Sequence, residues 1–452
     1  MCVSAGHGES AAAKPPDVAS VTLGKVTLRL IPFVFVLYIV AWLDRVNVGF
    51  AGLQMNADLG FSSAAFGFGS GVFFLGYCLF EVPSNLVLHR VGARRWISRI
   101  MISWGAISMA MMFVRTAPTF YVLRFLLGAA EAGFFPGVVY YLSHWYPEGQ
   151  RARAIASFMT AVPVSGVIGG PLSGALLGLN GLFGLAGWQW LFLVEGLPAI
   201  LLGIIVLVYL TDRPETADWL TSVEKDWLVS TLAADRTSRH GAVPIGIFAA
   251  LTNRTIWQLG IIFLFAAIGF YGYSFWAPLV VKSLTGSSDV NVGIILGAIS
   301  AVTVILMVLN SAHSDRTDER PWHVAVPLLV MAAGFFGCAL LSEPKLAVLA
   351  LALIPIGHCA AYGPFWSMPT RFLTGAPAAA GVALVVTIAN VGGFLGPTLI
   401  GALEDRAGAH GSAFMLLGTC AVIAALLALR LRQVAVLRSA SAGRLVGEQL
   451  TS

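Results

Sequence analysis

Twelve apolar stretches, each long enough to cross a lipid bilayer, constrain this chain more than any other feature. A helix needs about 20 mostly apolar residues to span the hydrocarbon layer. Only 11% of the residues are charged, whereas soluble proteins average about 25%, so a water-facing surface could not be covered. The predicted spans lie at roughly 29–50, 64–86, 97–115, 120–142, 152–178, 188–211, 255–281, 290–311, 322–341, 346–370, 377–402 and 411–430. The sequence therefore predicts an all-α membrane protein.

A long polar stretch separates the first six predicted spans from the last six. The predicted regions are an N-terminal tail at 1–28, a six-helix bundle at 29–211, a central loop at 212–253, a second six-helix bundle at 254–431 and a C-terminal tail at 432–452. The first tail has no apolar core before a cleavage site, so we expect a disordered cytosolic segment and no cleaved signal peptide. In the central loop, Thr221 and Glu224 have capping-box spacing, which predicts a short amphipathic helix.

The basic residues are unevenly divided between the two sides that these spans imply. Of 27 Lys and Arg residues, 21 fall on the side of the two termini and 4 on the other. Positive residues favour the cytoplasmic side, so we predict a multi-pass protein of a bacterial-type inner membrane with both termini in the cytoplasm. The net charge of +5 then reflects topology and requires no nucleic-acid partner. Five scattered cysteines give no metal-ligand or disulfide spacing, and we predict no metal or cofactor.

The two halves share an internal repeat with one constant offset of 226 residues. The offset relates Arg90, Arg94, Trp96, Gly166, Gly170 and Pro171 to Arg316, Arg320, Trp322, Gly392, Gly396 and Pro397. Taken alone, the arginines would be topology anchors and the glycines close-packing positions. Because one offset relates both sets, we predict two pseudo-symmetric six-helix bundles. Carriers built in this way bind their cargo between the halves near the midplane.

Six candidate ionisable residues lie inside predicted spans of the first half. Glu81 and Glu195 are the weaker candidates, and the other four are Asp44, Arg45, Arg124 and Glu131. Each costs at least about 2.5–3.5 kcal/mol in hydrocarbon, so such groups usually face an aqueous cavity. Arg45 lies 16 residues beyond Arg29, about 24 Å at 1.5 Å per residue, and Arg124 comes early in an inward-running span at similar depth. Glu131 follows two turns later, near the midplane. We predict that Asp44 pairs with Arg124, which leaves Arg45 free to meet an anionic cargo.

The second half differs, because the offset maps these four residues onto Phe270, Tyr271, Ala350 and Gly357. Its spans instead offer aromatic and neutral polar side chains: Tyr271, Tyr273, Trp276, His358, Tyr362, Trp366, Ser367 and Asn390. Such a pocket would hold a carboxylate on one side and contact its body on the other; alternatively, the aromatic residues are packing residues. Glu81 is interpreted as a structural or gating residue, and Glu195 as a group that satisfies a neighbouring helix.

Several stretches resemble the anion:cation symporter branch of the major facilitator superfamily. They are Asp44-Arg45-Val46-Asn47, Glu81-Val82-Pro83-Ser84-Asn85-Leu86, Gly92-Ala93-Arg94-Arg95-Trp96, the run from Arg124 to Gly137, Phe365-Trp366-Ser367-Met368-Pro369 and Asn390-Val391-Gly392-Gly393. The resemblance implies the major facilitator fold. It implies carboxylate binding by Arg45, proton handling by Asp44 and Glu131, and an ion-pair role for Arg124. Tyr77 and Asn390 match cargo-contacting positions.

The resemblance also implies gating by the loop arginines. Predicted gating residues are Arg90, Arg94, Asp315, Arg316 and Arg320. The first copy of the motif departs from the family pattern, because His89 stands where an Asp is usual, whereas the second copy keeps Asp315. This puts the gating interaction of the first loop in doubt.

Together these patterns predict a secondary transporter that takes up a small organic carboxylate with protons by alternating access. The carboxylate would be a sugar acid, a tartrate-like dicarboxylate or an aromatic acid. Predicted substrate contacts are Arg45, Tyr77, Arg124, Tyr273, Trp276, Trp366, Ser367 and Asn390, and Glu131, with Asp44 second, handles the proton. We expect a monomer in the lipid bilayer. The alternative is an exporter or antiporter of amphipathic compounds, since Gly166, Gly170 and Gly174 partly match a drug-antiporter motif. The 212–253 loop is too short for a catalytic domain, so the chain is not expected to be an enzyme.

Overall fold

The computed structural model describes residues 18–239, 252–372, 376–407 and 411–450, and almost all of these residues are helical. The helices are α1 Val18–Leu59, α2 Ser63–Val91, α3 Ala93–Ala110, α4 Ala117–Glu131, α5 Phe134–Ser143, α6 Glu148–Met159, α7 Ala161–Leu177, α8 Gly187–Tyr209, α9 Ser222–Arg239, α10 Arg254–Thr285, α11 Asp289–Thr317, α12 Pro321–Leu340, α13 Pro344–Phe372, α14 Ala376–Ala407 and α15 Gly411–Leu450.

The predicted all-α fold with twelve spans is confirmed. Twelve stretches within the described residues are long and apolar enough to cross a membrane. Two of them are interrupted helices, because α4 with α5 forms one span and α6 with α7 forms another. Neither the boundaries of the two bundles nor the sidedness of the termini follows from the helices themselves, and both stay predictions.

The chain ends differ from the predicted tails. Helix α1 begins at Val18, so the disorder predicted through residue 28 is wrong for 18–28. Leu23 and Val26 are buried there, and Lys25 Nζ forms an ion pair with Glu224 of α9 at 2.6 Å. Docking against α9 therefore supports the first turns of α1. Helix α15 likewise continues to Leu450, through most of the predicted C-terminal tail. Residues 1–17 lie outside the described part of the chain.

The capping box predicted in the central loop is present. The Thr221 N–H donates to Glu224 Oε2 at 2.9 Å, and the Glu224 N–H donates to Thr221 Oγ1 at 3.4 Å. These two bonds satisfy backbone donors that the first turn of a helix leaves free. They fix the start of α9, which extends to Arg239. Residues 240–251 lie outside the described part of the chain.

Backbone contacts join the two halves at one end of the bundle. The basic end of the bundle holds α9 and the arginines at or just after the C-terminal ends of α2 and α11. The contacts lie at the other end, where α2 and α11 begin, and we call this the opposite end. A methyl group on Gly170 of α7 would lie 2.5 Å from the Gly293 carbonyl oxygen of α11, and one on Gly67 of α2 would lie 2.5 Å from that of Pro397. Only glycine permits such close helix crossings, so both pairs of helices meet backbone to backbone.

Polar contacts reinforce this closure at the opposite end. Asp405 of α14 accepts the Ser63 and Ala64 N–H groups of α2, each at 3.0 Å. A carboxylate at a helix N-terminus satisfies free backbone donors and opposes the positive end of the helix dipole. Gln54 Nε2 of α1 donates to Asp289 of α11 at 2.8 Å. The halves are therefore joined at the opposite end, and a cavity lies between them nearer the middle of the spans.

Candidate functional site

The central cavity is lined by both halves and is rich in aromatic residues. Tyr38, Trp42, Arg45 and Tyr77 contribute from the first half, and Phe270, Tyr271, His358, Tyr362, Trp366 and Asn390 from the second. Arg45 is the only Lys, Arg, Asp or Glu among the described residues that line it. The electrostatics of the cavity are therefore set by one guanidinium and its partners.

Arg45 forms a buried ion pair with Glu131. The Glu131 side chain is almost wholly enclosed, at 1% exposure, and Arg45 is 8% exposed. The guanidinium carbon also lies 5.1 Å from the Trp42 ring centroid and 5.4 Å from that of Tyr77, distances at which a cation is attracted to an aromatic face. The prediction that Arg45 has no ionic partner is wrong, because the end of α4 brings Glu131 against it.

An interruption in the fourth span places Glu131 there. Helix α4 ends at Glu131, and Gly133 has φ +88°, a conformation that ends the helix and favours glycine. Pro136 has no N–H to offer the Ala132 carbonyl four residues earlier. The Ser84 hydroxyl of α2 donates to that carbonyl instead, at 2.6 Å. The break is therefore compensated within the protein, and the last residue of α4 turns toward α1.

Asp44 points away from the cavity, into the first half. Trp104 Nε1 donates to its carboxylate at 2.9 Å, and Ser108 Oγ donates at 2.7 Å. The side chain is 1% exposed. The predicted Asp44–Arg124 pair is therefore wrong: neighbouring residues on a helix point about 100° apart, and this rotation turns Asp44 toward α3 while Arg45 faces the cavity.

Arg124 is enclosed between α2 and α4 and does not line the cavity. It is 0% exposed, and its Nη2 and Nε donate to the Ser70 and Gly69 carbonyls at 3.1 and 3.4 Å. The Phe73 ring lies 5.0 Å from its guanidinium carbon. A close α2–α4 crossing, at which Gly128 packs on the backbone of Phe73, brings these carbonyls within reach. Among the described residues, one arginine thus lines the central cavity in this conformation, not the two that were predicted.

Of the other predicted substrate contacts, three line the central cavity and three do not. Tyr77, Trp366 and Asn390 line the central cavity together with Arg45. Tyr273 lines a second cavity, next to the first and also between the halves. Trp276 instead donates its indole N–H to Pro397 at 3.2 Å, and Ser367 donates to Pro364 at 2.7 Å; neither lines the central cavity. Trp276 thus contacts a neighbouring helix, and Ser367 bonds within its own helix.

Sequence reasoning missed Tyr38 and Trp42, which line the cavity on α1. They precede Arg45 by seven and three residues, a spacing that puts all three on one helix face. That periodicity was the available signal. Trp42 stacks on Tyr271 of the second half with ring planes 2° apart and centroids 6.3 Å apart, so the two halves meet through aromatic rings at the cavity wall.

Several polar nitrogen atoms at the cavity have no hydrogen-bond partner among the described residues. Among them are Arg45 Nε, Asn390 Nδ2 and His358 Nδ1. The first two are donors only, and a histidine nitrogen donates in one tautomer. Buried polar groups are nearly always satisfied in folded proteins. The cavity therefore suits a ligand that carries acceptor oxygens.

The predicted gating residues lie at the basic end. The Arg94 N–H donates to Asp212 Oδ1 at 2.8 Å, and its Nε lies 3.6 Å from Asp212 Oδ2. In the second half Arg320 Nη1 lies 2.7 Å from Asp315 Oδ1. Arg90 and Arg316 are exposed. Arg94 and Arg320 thus each form an ion pair with a carboxylate close to them in the chain or at the start of the central loop, and the gating role of all these residues stays a prediction.

Two six-span halves around a shared cavity are the architecture of secondary membrane transporters. The model of the Major Facilitator Superfamily matches residues 34–397; the chain belongs to that superfamily, and it is a transporter, not an enzyme.

Three comparisons illustrate its relatives. A "Putative tartrate transporter" of Agrobacterium vitis is 48% identical over 413 residues, 91% of this chain and 92% of that protein. A "Quinolone resistance transporter" of Acinetobacter baumannii is 40% identical over 383 residues, 85% and 88% of the two chains. The xylose transporter XylE of E. coli, in a partially occluded inward open conformation, matches with a TM-score of 0.70 at 14% identity over 91% of this chain and 99% of that one. The last match concerns the fold alone.

Proposed function

We propose that this transporter takes up a small organic carboxylate together with protons by alternating access. It acts as a monomer in a bacterial-type inner membrane with both termini in the cytoplasm. The observation that carries the proposal is Arg45, the only cationic side chain among the described residues that line the cavity. It is paired with Glu131, and unpartnered nitrogen atoms of Asn390 and His358 lie at the same cavity. The name of the Agrobacterium vitis relative, a putative tartrate transporter, agrees with this chemistry.

Proton coupling follows from competition for Arg45. A buried ion pair that loses one partner leaves a charge whose isolation costs about 3–5 kcal/mol. A carboxylate cargo can therefore pair with Arg45 only if Glu131 becomes neutral, and a proton makes it so. The Glu131 carboxylate takes the proton and becomes a carboxylic acid, while the cargo replaces it on the guanidinium. Release of both cargo and proton on the far side restores the original pair.

The second half contributes shape and neutral contacts. Phe270 stacks on His358 with centroids 4.1 Å apart, and Asn390 adds an amide at the same cavity. Rings bind the body of a small solute without adding charge, and amides bind its hydroxyl or second carboxyl oxygens. A sugar acid, a tartrate-like dicarboxylate and an aromatic acid all meet these requirements.

Glu131→Gln in proteoliposomes tests the proposal. The amide mimics the protonated acid, so we expect loss of accumulation driven by a pH gradient while counterflow exchange of tartrate continues. Glu81→Gln is the matched control, because Glu81 is also an acid in the membrane and lies outside the central cavity lining. Loss of both activities in a folded Glu131→Gln protein that still binds tartrate would contradict the role.

Uptake of a panel of labelled carboxylates, with and without a pH gradient, identifies the cargo class. Sugar acids, dicarboxylates and aromatic acids form three arms, and tartrate is the first member of the second. Proton coupling predicts that an inward pH gradient raises the accumulated amount of the accepted class. A panel in which no carboxylate is accumulated under either condition would reject the proposal.

Export of amphipathic compounds is the second candidate, favoured by the aromatic lining of the cavity and by the name of the quinolone resistance relative. The two candidates differ in direction and in charge. Vesicles of known orientation distinguish them by the direction of net flux. An exporter of cationic compounds would in addition tolerate Arg45→Gln, whereas a carboxylate carrier would not.

We further propose that the loop ion pairs control the basic end. The ion pairs Arg94–Asp212 and Arg320–Asp315 lie at this end. Closure of this end would bring Arg90 and Arg316 near the other half. Cysteine cross-linking between these two positions, with and without tartrate, measures that approach.

A further inference from the structure

The first half contains a second buried polar cluster, separate from Arg45 and Glu131. It lies where α1, α3, α7 and α8 meet, and its two acids are Asp44 and Glu195. Both are enclosed, at 1% and 3% exposure. Asn47, 1% exposed, lies between them, with its amide 3.5 Å from Asp44 Oδ1 and its side chain against Glu195.

No basic side chain contacts either acid among the described residues. The groups that face them are Asn47 from α1, Trp104 and Ser108 from α3, and Ser173 from α7. Arg45, the adjacent residue on α1, is turned to Glu131. Two carboxylates enclosed without a cation would both carry a large desolvation cost. One of the two is therefore expected to be neutral.

The hydrogen-bond pattern indicates which acid is neutral. Asp44 accepts from Trp104 and Ser108, and donors of this kind stabilise a carboxylate. Glu195 Oε1 accepts from Ser173 at 2.8 Å, whereas Glu195 Oε2 has no partner, and neither has Asn47 Oδ1. Both unpartnered atoms are acceptors. A single hydrogen on the Glu195 carboxyl would remove its charge, and with it most of the cost of enclosing this group without a cation.

A path for that hydrogen exists through Ser173. Its hydroxyl bonds to Glu195, and the same residue lines the second cavity, which lies between the halves and also includes Leu43 and Tyr273. Ser173 can pass its hydroxyl proton to Glu195 and take one from a hydronium ion in the second cavity. The acid gains one proton, the serine is regenerated and the hydronium becomes water.

We infer that Glu195 is a proton-binding site distinct from Glu131 and connected to the second cavity by Ser173. Resting on the proposed proton-coupled uptake, the inference adds that each transport cycle moves a second proton. On this inference Asp44, which accepts from Trp104 and Ser108, stays ionised, and Glu195 takes the proton-handling role that was predicted for Asp44.

Infrared difference spectroscopy on the purified, substrate-free transporter tests the site directly. We expect a pH-dependent carbonyl band of a buried carboxylic acid in the wild type, absent in Glu195→Gln and retained in Glu131→Gln. Ser173→Ala should keep the band and slow its shift in deuterated water at least tenfold, because the relay is removed. A band that persists unchanged in Glu195→Gln would overturn the inference. If Glu195→Gln does not fold, an unchanged exchange rate in Ser173→Ala overturns it.

Proton stoichiometry separates this inference from the proposed function. In proteoliposomes with tartrate as the probe, protons moved per tartrate should fall by one in Glu195→Gln, and uptake should remain. An unchanged ratio would reject the second transported proton. If wild-type flux shows no proton dependence, the proposed function fails, while loss of the infrared band in Glu195→Gln would still support the proton site.

Discussion

The two halves of the transporter share a scaffold and differ in buried charge. The first half encloses Asp44, Arg45, Arg124, Glu131 and Glu195, whereas the positions of the second half at the 226-residue offset from the first four are Phe270, Tyr271, Ala350 and Gly357. Tyr271 nevertheless lies beside Arg45 at the same cavity. Duplication has thus preserved where side chains meet while allowing their chemistry to diverge.

This asymmetry has a physical reason. A buried charge is tolerated when an opposite charge or hydrogen-bond donors surround it, so charges are best kept in one cluster. If the cation lay in one half and its acid in the other, every opening of the cavity would separate them. Because Arg45 and Glu131 both belong to the first half, the empty carrier can change shape with its ion pair intact.

The largest effect is expected when Arg45, the cavity cation, is removed, because this abolishes the difference in charge between the two halves at the cavity. Arg45→Gln should lower carboxylate uptake at least 100-fold, because no other cation lines the central cavity among the described residues. It should also lower the free energy of unfolding by about 3–5 kcal/mol, since Glu131 is left buried without its partner. Transport assays and thermal unfolding measure the two effects. The Arg45→Gln/Glu131→Gln double variant should recover stability without transport; equal losses in the single and double variants would refute the pairing argument.

A neutral contact in the second half should matter less. Asn390→Leu removes an amide whose nitrogen is unpartnered at the cavity, and we expect KM to rise about tenfold, from the loss of about 1–1.5 kcal/mol of hydrogen bonding. Ser367→Ala is the control, because Ser367 donates to Pro364 and does not line the cavity. Comparable effects of the two changes on KM would show that the second half is only a packing surface.

The contact between Asp405 and the start of α2 tests how firmly the two halves are joined at the opposite end. We call this contact the latch. Asp405→Ala removes the acceptor for the Ser63 and Ala64 N–H groups, a helix cap worth about 0.5–2 kcal/mol. The population open at the opposite end should rise about 2- to 30-fold. Spin labels at Ser62 and Arg406 would report it as a longer distance. A distribution identical to that of the wild type would exclude Asp405 as a latch.

The smallest effect is expected at α9, which lies in the chain between the two halves. Lys25 donates a hydrogen bond that holds the pKa of Glu224 below its usual range. The contribution to stability is complete above the ordinary glutamate pKa of about 4.3 and is lost as the pH falls through the lower folded value. Thermal unfolding between pH 7 and 3 should therefore show a small destabilisation that is absent in Glu224→Gln. An equal acid response in both proteins would place the titrating group elsewhere.

Much of the fold, and about half of the proposed binding site, could be predicted from residue patterns. The spans, the repeat and the capping box at Thr221 depend on local properties, and the placement of Arg45, Tyr77, Trp366 and Asn390 at the cavity follows their spacing and the family resemblance. The pairing of the charges could not be predicted. Depth along a helix follows from residue count, but the partner of a side chain depends on how neighbouring helices rotate and how closely they cross.

The sequence by itself determined that the chain crosses a membrane twelve times in two related halves, because hydrophobicity and periodicity are properties of each segment alone. Only the tertiary structure decided that Glu131, not a cargo, holds Arg45, that Arg124 is bound by carbonyls of α2, and that Glu195 shares a cation-free cluster with Asp44. Each of these outcomes depends on a glycine-dependent crossing or a helix break, where a shift of one residue or one turn would exchange the partners.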